Sequence, residues 1–161
     1  MNNYGSLVFR LPKEQEDALS QETPFGDETR SELAREVLQT GDKRAIKRAA
    51  ALLAITINRG AVDGACPPYC LETVAECAEA LAALGKPSVD YVLWVLDKQK
   101  QNGQEAHSRH VQLILLDMLE KLHDSSAIPR LKSIVQTTTN RDETVERAAN
   151  ATLEYLEALE A

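Results

Sequence analysis

Apolar residues recur along most of this chain at spacings of three and four. Leu33, Ala34, Val37 and Leu38 share one helical face after Thr29. Gly41 then reads as a stop and Asp42 as the next N-cap. Ile46, Ala49, Ala50, Leu53 and Ile57 form a second stripe. Ala45, Leu52 and Ile55 widen it, which predicts a helix with neighbours on both sides. Asn58 through Pro68 holds two glycines and two prolines and predicts a loop, the longest break in the periodic region. Leu71, Val74, Ala75, Ala78, Leu81 and Ala82 make the next stripe, ended by Gly85. Pro87 sits where another helix begins; Val89, Val92, Leu93 and Leu96 share its face, with Tyr91 and Trp94 beside them. After a break at Asn102-Gly103 comes the cleanest stripe: Val111, Ile114, Leu115, Met118, Leu119 and Leu122. Leu113 and Leu116 extend it, so this helix is expected to be the most buried.

The final pair runs from Ser125 to Val135 and from Val145 to Leu156, joined by the polar turn Asn140-Arg141-Asp142-Glu143. One such amphipathic hairpin cannot bury its apolar face alone and needs neighbours of the same kind. Residues 1–26 are less regular. Leu7, Val8, Phe9 and Leu11 predict an extended arm, Lys13 to Ser20 a short helix, and Pro24 and Gly26 punctuate.

Helix ends at Leu84, Leu122 and about Leu159 fall 38 residues (84 to 122) and 37 residues (122 to 159) apart, a loose repeat period. Ala127-Ile128-Pro129, the turn residue Asp142 and Arg147-Ala148-Ala149 resemble HEAT repeats of the armadillo and PBS-lyase-like kind. The resemblance is most specific over 126–160, extends over 87–122 and is looser over 43–84. It implies an all-α fold, a right-handed α-α superhelix (solenoid) of about seven helices in three to four HEAT-like hairpins. That divides the chain into an irregular N-terminal arm, 1–26, and a repeat domain, 27–161. HEAT arrays are binders and scaffolds, so the resemblance implies binding along the concave face and no chemistry. Two relatives of the same style set alternatives: bilin lyases that attach or handle tetrapyrroles, and HEAT-like DNA glycosylases with a cationic concave surface.

Composition sharpens this reading. The 161 residues carry a formal net charge of −7, the opposite of what phosphate binding usually requires, which argues against nucleic acid. No apolar run approaches the ~18 residues that span a membrane, and Leu7-Val8-Phe9 is too short for a signal sequence. Three cysteines, an odd number, fit a reducing, cytoplasmic compartment better than a disulfide framework.

Candidate chemistry is sparse. Cys66, Cys70 and Cys77 have part of a zinc spacing, with His107, His110 or His123 as a fourth ligand. The second half of a zinc pair is absent, so a loop thiol and two small core residues are the preferred reading, and no metal or cofactor is expected. His107 and His110, three apart, lack the acidic partner of a metalloprotease helix. Lys43, Arg44, Lys47 and Arg48 cluster in the first two turns of a helix, against its dipole. They point to an acidic partner segment, or to balance by Glu32 and Glu36. Asp117 interrupts the most apolar stripe and is expected to pair with Arg109 or Arg147. Trp94 is expected to pack under a neighbouring repeat. No P-loop, dinucleotide fingerprint or nucleophile elbow is present. The expected function is therefore a non-catalytic adaptor that binds another protein through Lys43, Arg44, Lys47, Arg48, Arg109, Asp117 and Arg147. The alternatives are a bilin-handling lyase or chaperone, with Cys66, Cys70 and His110 carrying the work, and an immunity or inhibitor protein.

Overall fold

A computed structural model describes residues 9–25, 29–62, 70–99, 106–137 and 142–160. Among them the chain is all-helical. Eight α-helices follow in order: α1 (Lys13–Ser20), α2 (Thr29–Gln39), α3 (Lys43–Val62), α4 (Cys70–Leu84), α5 (Val89–Gln99), α6 (Ala106–Leu122), α7 (Ile128–Thr137) and α8 (Glu143–Glu160). Single 3-10 turns at Lys86–Ser88 and Ser125–Ala127 lead into α5 and α7.

The helix ends follow from local chemistry. Gly41 (φ 69°) and Gly85 (φ 79°) take the left-handed conformation that ends α2 and α4, where a Cβ would be strained. Asp42 caps α3 by accepting the Arg44 N–H at 2.9 Å, and Asp142 caps α8 by accepting that of Val145 at 3.1 Å. Asp124 does the same for Ser126 at 3.0 Å. Ser88 buries its hydroxyl by donating to the Leu81 carbonyl at 2.7 Å, which fixes the bend between α4 and α5.

The helices alternate between two rows. α1, α3, α5 and α7 pack in that order in one row, and α2, α4, α6 and α8 in the other. Extensive contacts join all next-but-one neighbours and the chain neighbours α1–α2, α2–α3, α3–α4, α5–α6 and α7–α8, with α3 also reaching α6. Among the described residues α1 and α2 make no extensive contact with α7 and α8.

Three expectations need correction. The most buried helix is α3, not α6: from Ala45 to Ile57 only Lys47 and Ile55 escape burial. α3 touches α1, α2, α4, α5 and α6, and its alanines Ala49, Ala50 and Ala54 are fully buried where those neighbours approach. Small side chains give a weaker apolar stripe than leucines, so the pattern of apolar residues does not reveal how deeply α3 lies. Secondly, Asn58–Val62 is helical rather than loop. Asn58 accepts a hydrogen bond from Gln99 Nε2 at 3.0 Å, a tertiary tie that offsets the ~1 kcal/mol cost of Gly60 in a helix. Thirdly, the short helix expected over Lys13–Ser20 is present, but it packs within the body rather than belonging to a separate arm. α1 packs on α3 and α2, Leu19 is fully buried and Leu11 is buried, which raises the helix count to eight. The expectations for Leu7 and Val8, for Asp63 to Pro68, for Asn102-Gly103 and for Asn140-Arg141 lie outside the described residues.

Candidate partner-binding groove

Among the described residues the second row contains an open slot between two helices. α4 and α6 run side by side, with Ala75 and Ala78 of α4 facing Leu113, Ile114 and Met118 of α6. Alanine on the α4 side does not reach across to the larger α6 residues, and an open slot of about 350 Å³ remains. Glu79 on α4 and His110, Asp117 and Lys121 on α6 form its rim. The next interval in the row is bridged by polar ties between α6 and α8. Arg109 donates to Asp142 Oδ2 at 3.2 Å, Thr152 donates to Glu120 at 3.0 Å, and the Tyr155 hydroxyl meets His123 Nδ1 at 2.9 Å.

Asp117 is exposed and pairs with Lys121, one turn later, at 3.1 Å; both side chains are about 60% exposed. Such a pair contributes at most ~0.5 kcal/mol and leaves both groups able to meet a partner. Glu79 and His110 are exposed and have no ion pair or hydrogen bond among the described residues. The lining offers no hydroxyl or thiol nucleophile. Among the described residues no group of three or more His, Cys, Asp or Glu side chains is arranged to hold a metal ion. The slot thus combines an apolar floor with charged edges.

The expected partner-binding residues divide between locations. Arg48 belongs to the interior, at 5% exposure: it grips Glu16 of α1 with a two-pronged guanidinium contact, at 2.8 Å from Nε and 2.7 Å from Nη2. Glu16 also accepts the Leu11 N–H at 3.1 Å. These bonds, the Arg48 one foremost, hold its carboxyl down at about 2. The acid that neutralises Arg48 therefore comes from α1, not from Glu32 or Glu36. Arg44 lies 3.7 Å from Asp42 and stacks over the Phe9 ring at 4.9 Å. Lys43 and Lys47 are exposed beside it, at the start of α3 in the first row and away from the groove. Arg147 is exposed and pairs with Glu143 on its own helix. Neither it nor Arg109 pairs with Asp117, whose cation is Lys121.

Cys77 is fully buried between α4 and its neighbours, and loss of solvation pushes its thiol up to about 12 despite the nearby Arg30. Cys66 and the side chains of Cys70 and His107 lie outside the described residues. Trp94 is half-buried against the core and Tyr91 is buried.

Sequence reasoning missed two constellations. Arg30, 1% exposed, donates to Glu76 at 2.7 Å and to the carbonyls of Thr23 (2.9 Å) and Gln21, while its guanidinium covers the Phe25 ring at 4.8 Å. Glu76 in turn accepts the Phe25 N–H at 3.1 Å, so this pair clamps residues 21–25 onto α4. The second is a buried network in which Ser108 donates to Gln99 Oε1 at 2.8 Å and Gln112 donates to the Gln99 carbonyl at 3.4 Å. Both span more than one helix, and no local spacing announces them. The groove itself had a faint signal: alanines at 75 and 78 beside an exposed glutamate.

No family model, curated protein or solved structure matches the chain.

Proposed function

We propose that this chain is a short HEAT-like α-solenoid serving as a non-catalytic adaptor, which binds another protein along the row formed by α2, α4, α6 and α8. The observation that carries this reading is the open apolar slot between α4 and α6, edged by charged groups. Stacked hairpins with contacts confined to near neighbours suit such a solenoid, whose exposed row offers a long surface for one partner. No described helix is long and apolar enough to cross a membrane. A reducing, cytoplasmic setting suits a chain with three cysteines, of which Cys77 is a buried thiol.

The acidic partner expected from the cationic cluster loses support. Arg48 is occupied inside the fold and Arg44 by Asp42 and Phe9, which leaves Lys43 and Lys47 alone. The groove, in contrast, has an apolar floor of the kind that supplies binding energy when it is covered.

A photo-crosslinking residue at position 79, introduced into the chain in its source cells, tests the reading. A discrete crosslinked protein is expected, and Ile114→Glu, which places a charge on the floor, should abolish it while leaving the helical circular-dichroism signal intact. The same crosslink in the Ile114→Glu chain would refute the adaptor reading.

A further inference from the structure

We infer that the occupant of the α4–α6 groove is a basic amphipathic helix of a partner protein, lying with its apolar stripe in the slot and its Lys or Arg residues toward α4. This rests on the adaptor reading and adds to it the chemistry of the partner.

Shape comes first. A slot of about 350 Å³ lies near the lower end of the ~300–1,000 Å³ range of ligand pockets, and it is open. It cannot enclose most of a small molecule. It can receive side chains projecting from a larger body, and a helix laid over two neighbouring helices presents anchors at i, i+3, i+4 and i+7 for that purpose. Leu113, Ile114 and Met118 supply apolar contact for those anchors on one side, and Ala75 and Ala78 allow close approach on the other.

Charge then selects among helices. On the α6 wall Asp117 and Lys121 neutralise each other. On the α4 wall Glu79 has no partner, and Glu72, seven residues earlier on the same helical face, is likewise exposed and unpaired among the described residues. That wall therefore carries uncompensated negative charge beside the slot. The wider field has the same sign. Up to residue 60 the chain has nine cationic and nine acidic side chains; beyond it there are nine and sixteen, so the excess of acid resides in the part that contains the groove. An acidic helix would be repelled on approach and a neutral one would gain only the apolar contact, whereas a basic one is also steered in and oriented toward α4.

The test uses the intact chain and three synthetic 18-residue peptides. One has a leucine stripe at helical spacing with lysines elsewhere. Its twin has glutamate in place of lysine. The third has the first peptide's composition with the stripe scrambled. Fluorescence anisotropy reads affinity, and methyl NMR of Ala75, Ile114 and Met118 reads location. The Leu/Lys peptide should bind and shift those three methyl signals, with the other two peptides weaker by about tenfold or more. Glu72→Lys with Glu79→Lys, both exposed positions, should weaken the Leu/Lys peptide by a similar factor and leave circular dichroism unchanged. Equal binding of the Leu/Glu twin, unchanged affinity in the charge-reversed chain, or shifts confined to other methyls would each overturn the inference. A cellular crosslink lost in Ile114→Glu but retained by the charge-reversed chain would remove the basic occupant and leave the adaptor standing.

Discussion

Glu16 and Arg48 form a latch whose strength depends on pH. The carboxyl sits at about 2 in the folded protein against an ordinary 4.5. A depressed carboxyl stabilises the fold above the unfolded value, and that contribution fades as pH falls from about 4.5 toward 2. Its size is on the order of 3 kcal/mol, since one pKa unit corresponds to about 1.4 kcal/mol and the group is only 16% exposed. Glu16→Gln should therefore lower stability at neutral pH and flatten the acid limb. Urea unfolding between pH 7 and pH 2 should show the two proteins converging at the acid end, and parallel curves would mean that the latch is not made. The unusual run Lys43, Arg44, Lys47 and Arg48 was legible in the sequence as cations placed against a helix dipole. Which one turns inward was not, because the answering acid lies 32 residues away on α1. The pair of buried Arg30 with half-buried Glu76, 46 residues apart, was illegible for the same reason.

At the scale of the element, periodicity and end signals were good guides. Gly41, Asp42, Gly85, Pro87 and Asp142 all stand at helix boundaries, because capping and left-handed turns are local chemistry. The error at Asn58–Val62 shows the limit: glycine weakens a helix only by ~1 kcal/mol, and one tertiary hydrogen bond changes the outcome. Burial assigns consequences to individual leucines. Leu53 on α3 and Leu115 on α6 are fully buried, whereas Leu159 near the end of α8 is 44% exposed. Leu53→Ala and Leu115→Ala should each cost about 2–5 kcal/mol, and Leu159→Ala should stay within about 0.5 kcal/mol. Chemical denaturation checks all three. A loss below 1 kcal/mol at Leu115 would place α6 wrongly in the core.

Across the whole molecule, stability should behave as a sum over neighbouring hairpins, because α7 and α8 make their extensive contacts with α5, α6 and each other. A chain ending at His123 should keep a cooperative, helical thermal transition at a lower Tm than the full chain. Loss of all helical signal at 20 °C would instead indicate one core shared by all eight helices. The same arrangement explains why the groove occurs where it does. Arg109, Thr152 and Tyr155 bridge α6 and α8 with polar ties, while the short side chains of Ala75 and Ala78 leave space between the α4 and α6 side chains.

The order of hydrophobic and polar residues determined by itself that the chain is helical, where most helices begin and end, and which face of each turns inward. Those properties depend on spacings of three and four and on caps within a single turn, all within reach of neighbouring residues. Only the packed structure decided that α3 lies deepest, that α1 joins the body, that Arg48 is an internal latch and that a slot opens beside Glu79. Each of these is set by a distance between segments far apart along the chain, and burial, pairing and empty space come into existence only when those segments meet.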